Sequence, residues 1–177
     1  MITEVLQAKH DKVFDLLDRN GNGELSRTDF ELLADDLIAT GADNPHTPAA
    51  DAVRRAYLRA FERFAEHTDT NRDGVITRQE FHAAMATPAD RAARFDDIWG
   101  PTCDVEFDHV DTNSDGKLDR DEFTALMAGF SHTPTSASAA FDKLATDGFI
   151  TRTAYYDAWR SYVASDDENH PAGRMMP

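Results

Sequence analysis

Three twelve-residue stretches of this 177-residue chain place oxygen-bearing side chains at the spacing that a hard divalent cation demands. Calcium takes six to eight oxygens. A single loop can supply them from positions 1, 3, 5 and 9, the backbone carbonyl of position 7 and a bidentate Glu at position 12, with a Gly at position 6 for the sharp turn. Residues 69–80 put Asp69, Asn71, Asp73, Val75 through its carbonyl, Thr77 and Glu80 at these positions, around Gly74. Residues 111–122 do the same with Asp111, Asn113, Asp115, the Lys117 carbonyl, Asp119 and Glu122, around Gly116. Residues 18–29 offer Asp18, Asn20, Asn22, the Glu24 carbonyl and Asp29, around Gly23. Solvated acidic turns would not fill every position of so restrictive a pattern twice.

The three loops differ in charge and reach. Asp29 replaces Glu at position 12, and one methylene less strains bidentate coordination. That favours six ligands and lets magnesium, which requires a compact octahedron, compete at the first loop. The acids at side-chain ligand positions number two in the first loop (Asp18, Asp29), three in the second (Asp69, Asp73, Glu80) and four in the third (Asp111, Asp115, Asp119, Glu122). Charge alone therefore ranks the third site tightest and the first weakest.

These loops need helices on either side, and the sequence supplies them. Apolar residues recur at three- and four-residue spacing, as in Leu6, His10, Val13, Phe14 and Leu17. The pattern of entering helix, acidic turn, aliphatic residue and leaving helix occurs four times, centred on Gly23, Gly74, Gly116 and Gly148. The pattern resembles the EF-hand repeat. In the fourth copy, residues 145–154, a two-residue deletion places Ala145 at position 1 and Ala154 at position 12, so only Asp147 remains as a carboxylate. Its Ile150 matches Leu25, Ile76 and Leu118, the positions at which paired loops form a short antiparallel bridge. The expected fold is all-α: four EF-hand units in two pairs form a compact globule, with short β-bridges between paired loops. One pair would span residues 1–87, the second 88–164, and a tail 165–177, whose Met175 and Met176 leave open a fold-back. Gly41 to Pro48, Thr87-Pro88, Gly100-Pro101 and the polar run Ser131 to Ser138 are the expected breaks. Phe14, Phe30, Phe61, Phe64, Phe81, Phe107, Phe123 and Phe141, with Tyr155, Trp159, Tyr162 and Val163 on the last helix, read as core.

Composition narrows the function. A formal charge of −15 opposes nucleic acid and anionic membranes as partners and favours cations. The N-terminus has no basic region leading into an apolar core, no apolar run is long enough to span a membrane, and Ile2 removes N-myristoylation. A cytoplasmic location is expected. The single Cys103 reads as a buried small hydrophobe. The His residues are scattered, and neither a phosphate-cradling Gly-rich loop nor a nucleophile elbow is present, so no enzyme is expected.

On these loops, the long connection between the first two and the one silent repeat, the chain resembles the sarcoplasmic calcium-binding protein family, including its bacterial calerythrin-type members. Ala- and Arg-rich helices agree with a high-GC bacterial source. The resemblance implies a two-pair globule that buffers calcium and, in part, magnesium. The alternative is a calcium-dependent regulator that recruits a protein partner. Sensors of that kind expose Met-rich grooves, whereas of the five Met only Met85 and Met127 lie inside the body of the chain, away from its ends. A calcium-triggered photoprotein is a third, more remote reading. Empty loops crowd carboxylates, and each ion removes two units of the −15 charge. The melting temperature should therefore be markedly lower in chelator than in calcium; equal values would contradict the three-loop reading.

Overall fold

The computed structural model describes residues 4–41 and 46–165, and in them the repeat becomes four helix–loop–helix hands. The first hand is α1 (Glu4–Leu17), β1 (Glu24–Leu25) and α2 (Arg27–Gly41); the second is α3 (Pro48–Thr68), β2 (Ile76–Thr77) and α4 (Arg78–Ala84). The third is entered through α5 (Pro88–Arg94), a π-helical turn (Phe95–Trp99) and α6 (Gly100–Val110), and continues with β3 (Lys117–Leu118) and α7 (Arg120–Gly129). The fourth comprises α8 (Pro134–Leu144), β4 (Ile150–Thr151) and α9 (Arg152–Ala164). Helix starts are encoded locally. Thr47, Thr87 and Thr133 each accept a backbone N–H of the next turn, and each precedes a Pro in the first helical turn, where no N–H is needed.

Two expected breaks are corrected. Gly100-Pro101 does not interrupt the approach to the third loop. Pro101 lies in the first turn of α6, and the π-turn before it absorbs the change in hydrogen bonding, so helical backbone runs from Pro88 to Val110. Gly100 is there for space: a Cβ would come within 3.0 Å of the Tyr156 ring. The polar run 131–138 is not a linker throughout, because Thr133 caps α8 and the helix begins at Pro134. The tail and its Met175 and Met176 lie outside the described residues.

The bridges are those the aliphatic residues predicted. Leu25 pairs with Ile76 and Leu118 with Ile150, both antiparallel, and all four side chains are fully buried. Loop one is thus tied to loop two and loop three to loop four. The aromatics around the loops form the core. Phe14 and Phe64 both meet Phe81 edge-on at 5.5 and 5.7 Å, and Phe123 meets Phe141 at 5.9 Å. Trp99, from the π-turn, stacks on Phe30 at 5.7 Å and leans on Phe64 at 6.1 Å, joining the third hand to the first two. Cys103 is buried, and desolvation holds its thiol well above the usual range, the opposite of an activated nucleophile.

Two buried charges hold the halves together. The Arg91 guanidinium, fully enclosed, donates to the Met85 carbonyl at 3.0 Å and the Ala164 carbonyl at 3.1 Å, binding the ends of α4 and α9. Glu106 on α6 accepts from Tyr57 on α3 and from Tyr155 on α9 (2.6 Å to the latter). Burial raises the Glu106 pKa above its usual 4.5, and the tyrosine hydrogen bonds only partly oppose this. A carboxyl with a raised folded pKa is most stabilising when protonated. Its contribution is full below about 4.5 and declines as pH rises toward the folded value. Glu106→Gln should therefore gain stability relative to the parent as pH rises from 4.5, then plateau. Denaturant melts across pH measure this; a pH-independent difference would contradict it.

Candidate metal centres

The loops begin where the entering helices end, and the first ligand closes the turn. Both oxygens of the position-1 carboxylate take backbone N–H groups. Asp18 accepts from Asn22 and Gly23 at 3.1 and 2.8 Å, Asp69 from Asp73 and Gly74 at 3.3 and 3.0 Å, and Asp111 from Asp115 and Gly116 at 3.1 and 2.9 Å. Gly23, Gly74 and Gly116 have φ of +86, +89 and +76°, a conformation glycine takes without strain. At position 3, the Asn20, Asn71 and Asn113 carbonyls accept the position-5 N–H at 3.0, 3.0 and 2.8 Å. At position 5, Asn22, Asp73 and Asp115 accept from the N–H of Glu24, Val75 and Lys117 at 2.9, 3.1 and 2.9 Å. The same network is built three times from different sequences.

Position 12 lies in the first turn of the leaving helix and reaches back across the loop. The Glu80 carboxylate accepts from Thr77, N–H at 3.0 Å and hydroxyl at 2.9 Å, and from Thr70, N–H at 3.0 Å and hydroxyl at 2.8 Å. Glu122 accepts from the Asp119 N–H at 3.1 Å and from the N–H and hydroxyl of Thr112 at 3.0 and 3.1 Å. Thr77 and Asp119 complete capping boxes with these glutamates. The Thr77 N–H, with the threonine hydroxyls, holds Glu80 down at a pKa of about 2, so it is a carboxylate at any physiological pH. Thr70 and Thr112 were not singled out from the sequence, although the shared Asp-Thr-Asn opening of the two loops was visible.

The first loop closes differently around its shorter acid. Asp29 is fully buried and accepts from Ser26, N–H at 2.9 Å and hydroxyl at 2.7 Å, and from the Asn20 N–H at 3.1 Å. It thus binds position 3 where the glutamates bind position 2. The fourth loop has become a tight turn. Thr146 and Phe149 exchange backbone hydrogen bonds at 2.9 and 3.1 Å around Asp147 and Gly148, whose φ of +54 and +85° are those of a two-residue hairpin turn. Thr151 still caps α9 through the Ala154 N–H at 3.2 Å, but Ala154 has no carboxylate to return.

The donor set suits calcium: it is all oxygen and mixed in charge, exposed at positions 3 and 5 and half-buried or buried at positions 1 and 12. Carboxylates alone do not make these sites. Among the described residues no three His, Cys, Asp or Glu side chains converge closely enough to hold an ion, so Asn and carbonyl oxygens are required to complete a shell.

Comparison with known proteins agrees with this geometry. Residues 7–86 match the family model described as an EF-hand domain pair, and residues 104–127 the model described as EF hand. No curated protein matches the sequence. Among solved structures, a calcium-binding protein of Streptomyces coelicolor is similar in fold (TM-score 0.81, 23% identity, covering 90% of this chain and 98% of that one). So is the coelenterazine-binding protein of Renilla muelleri, calcium-loaded (TM-score 0.66, 21% identity, 98% and 97% covered). The ctenophore photoprotein berovin, magnesium-loaded, has a TM-score of 0.69 at 19% identity, with 92% and 88% covered.

Removing the charge at position 12 separates the loops. Glu80→Gln and Glu122→Gln should each weaken one site by roughly tenfold to a hundredfold, the scale of a lost charged interaction of about 1.5–3 kcal/mol. Calcium calorimetry on the two variants checks this; an unchanged isotherm would refute it.

Proposed function

We propose that this chain, whose residues 7–86 and 104–127 are EF-hand domains, is a calcium buffer with three working loops and one that serves as scaffold. The observation that carries the reading is the threefold repetition of one hydrogen-bond network around a complete oxygen set. Asp69, Asn71, Asp73, Val75, Thr77 and Glu80 are the ligands of the second site. Asp111, Asn113, Asp115, Lys117, Asp119 and Glu122 are those of the third. Asp18, Asn20, Asn22, Glu24 and Asp29 form the first, where magnesium competes. All three calcium-binding loops of berovin bind magnesium, which supports a mixed site in this fold.

Buffering rather than signalling is favoured by the closed core: Met85 and Met127 are 2% and 0% exposed, so among the described residues no Met-rich groove faces solvent. The regulator reading keeps one support, the description of the Streptomyces protein as a calcium-mediated regulator. A chromophore buried in the core is disfavoured by size. The apolar cavity between Trp99, Trp159, Met85 and Glu106 has about 60 Å³, against the ~300–1,000 Å³ of drug-sized ligand pockets. The charge of −15 argues against nucleic acid and anionic membrane, and among the described residues no helix is long and apolar enough to cross a bilayer. A cytoplasmic setting suits the lone thiol. No enzymatic role is proposed.

Calcium calorimetry with and without millimolar magnesium, read alongside an apolar-surface dye, tests the whole proposal. Three ions, magnesium competition confined to one site and no calcium-dependent dye signal are expected. A stoichiometry of two or fewer would remove the three-loop claim, and a strong dye signal would replace the buffer with the regulator.

A further inference from the structure

In a chain of formal charge −15, a stripe of arginines lies beside a partly apolar groove. The groove, about 560 Å³, runs between α3 and the helical segment formed by the π-turn and α6. Along its rim Arg55, Arg59 and Arg63 follow one another at four-residue steps, all exposed. Ala52, Ala56 and Ala60 repeat at the same interval along its floor, and Ile98, Pro101 and Val105 form the opposite wall.

In a chain with 18 basic and 33 acidic residues, guanidinium groups find carboxylates easily. Arg27, Arg78, Arg120 and Arg152 each hold at least one, and at the end of the groove Arg63 holds Asp97 at 2.5 Å. The other acid lining the groove, Asp96, is taken by Arg160 and Tyr156 from α9, at 2.6 and 2.7 Å. Arg55 and Arg59 have no carboxylate partner among the described residues. Two free guanidinium groups thus stand one helical turn, about 6 Å, apart beside a floor of methyl groups.

We propose that this groove docks an acidic amphipathic helix of a partner protein. Acids at i and i+4 on such a helix meet Arg55 and Arg59, because both helices share the same repeat. An adjoining stripe of small or aliphatic residues fills the groove, since the alanine floor lets the two backbones approach closely. Arginine suits the role, its planar fork pairing bidentately with carboxylates. A second copy of the chain is a poor occupant because two charges of −15 repel. The proposal goes beyond buffering and does not depend on how many loops hold ions.

The probe is a labelled fifteen-residue helical peptide with Glu at four-residue steps beside a Leu/Ala stripe, added to the calcium-saturated full chain and followed by anisotropy. Binding is expected, weakened at least tenfold in Arg55→Glu/Arg59→Glu and recovered on that variant when the peptide's Glu are replaced by Lys. Lys143→Glu, exposed on α8 and away from the groove, should leave binding within about twofold, which separates docking from net charge. Calcium calorimetry on the double variant establishes that it is folded and keeps the calcium reading separate from this one. Equal binding to parent and double variant, or no rescue by the Lys peptide, overturns the proposal. So does self-association abolished by the double substitution, which makes a second copy the occupant. Peptide binding that emerges only when residues 166–177 are deleted overturns it too, by making the chain's own tail the occupant.

Discussion

In the second and third hands one carboxylate belongs to two structures at once. Glu80 is in the first turn of α4, where it closes the capping box with Thr77, and it is also the group that reaches over the loop to Thr70 at the end of α3. Glu122 does the same between α7 and the residues after α6. A single side chain therefore sets the relation of entering helix to leaving helix. An ion that takes those oxygens pulls on both. The surrounding N–H and hydroxyl groups stabilise the negative charge before any ion arrives, which is why Glu80 ionises so readily. The arrangement holds a carboxylate charged and in place across the loop.

The rest of the molecule fixes the hands relative to one another. Bridges between Leu25 and Ile76, and between Leu118 and Ile150, join loops in pairs, so the fourth hand remains useful after losing its ligands. Its hairpin turn at Asp147 and Gly148 supplies a strand to loop three without needing an ion to order it. Trp99 and the Tyr57–Glu106–Tyr155 contact then link the pairs through the middle of the core. A buried carboxylate is costly to desolvate, and its two hydroxyl donors tie α3, α6 and α9 into one geometry. Opening the halves would expose the Tyr57–Glu106–Tyr155 contact along with the aromatics.

The oxygen sets, the four repeats and the pairing were legible because each is written in local spacing: ligands at fixed offsets, glycine at position 6, one aliphatic residue at position 8. What was not legible depends on contacts made at a distance. Gly100-Pro101 reads as a break, yet Tyr156 from α9 needs the bare glycine and the π-turn accommodates the proline. The Ser/Thr/Pro run at 131–138 reads as a linker, although Thr133 followed by Pro134 is also a helix start, as Thr47-Pro48 is elsewhere in the chain. Glu106 and Arg91 look like ordinary helix-surface charges in sequence; only the tertiary fold buries them. The fourth loop's shortage of acids was visible, whereas its two-residue turn required seeing Asp147 and Gly148 both left-handed.

The central claim is that three loops share one ion-binding scaffold and the fourth does not. The glycine amides report on it directly. In the three scaffolds the position-6 N–H donates to a position-1 carboxylate, at 2.8 Å for Gly23, 3.0 Å for Gly74 and 2.9 Å for Gly116, whereas Gly148 follows a loop that begins with Ala145. Nitrogen–proton correlation spectra recorded through a calcium titration should show three glycine amides moving to new positions and saturating while Gly148 follows none of them. A Gly148 amide that titrates with the others, or a Gly74 or Gly116 amide that stays in place, would contradict the account.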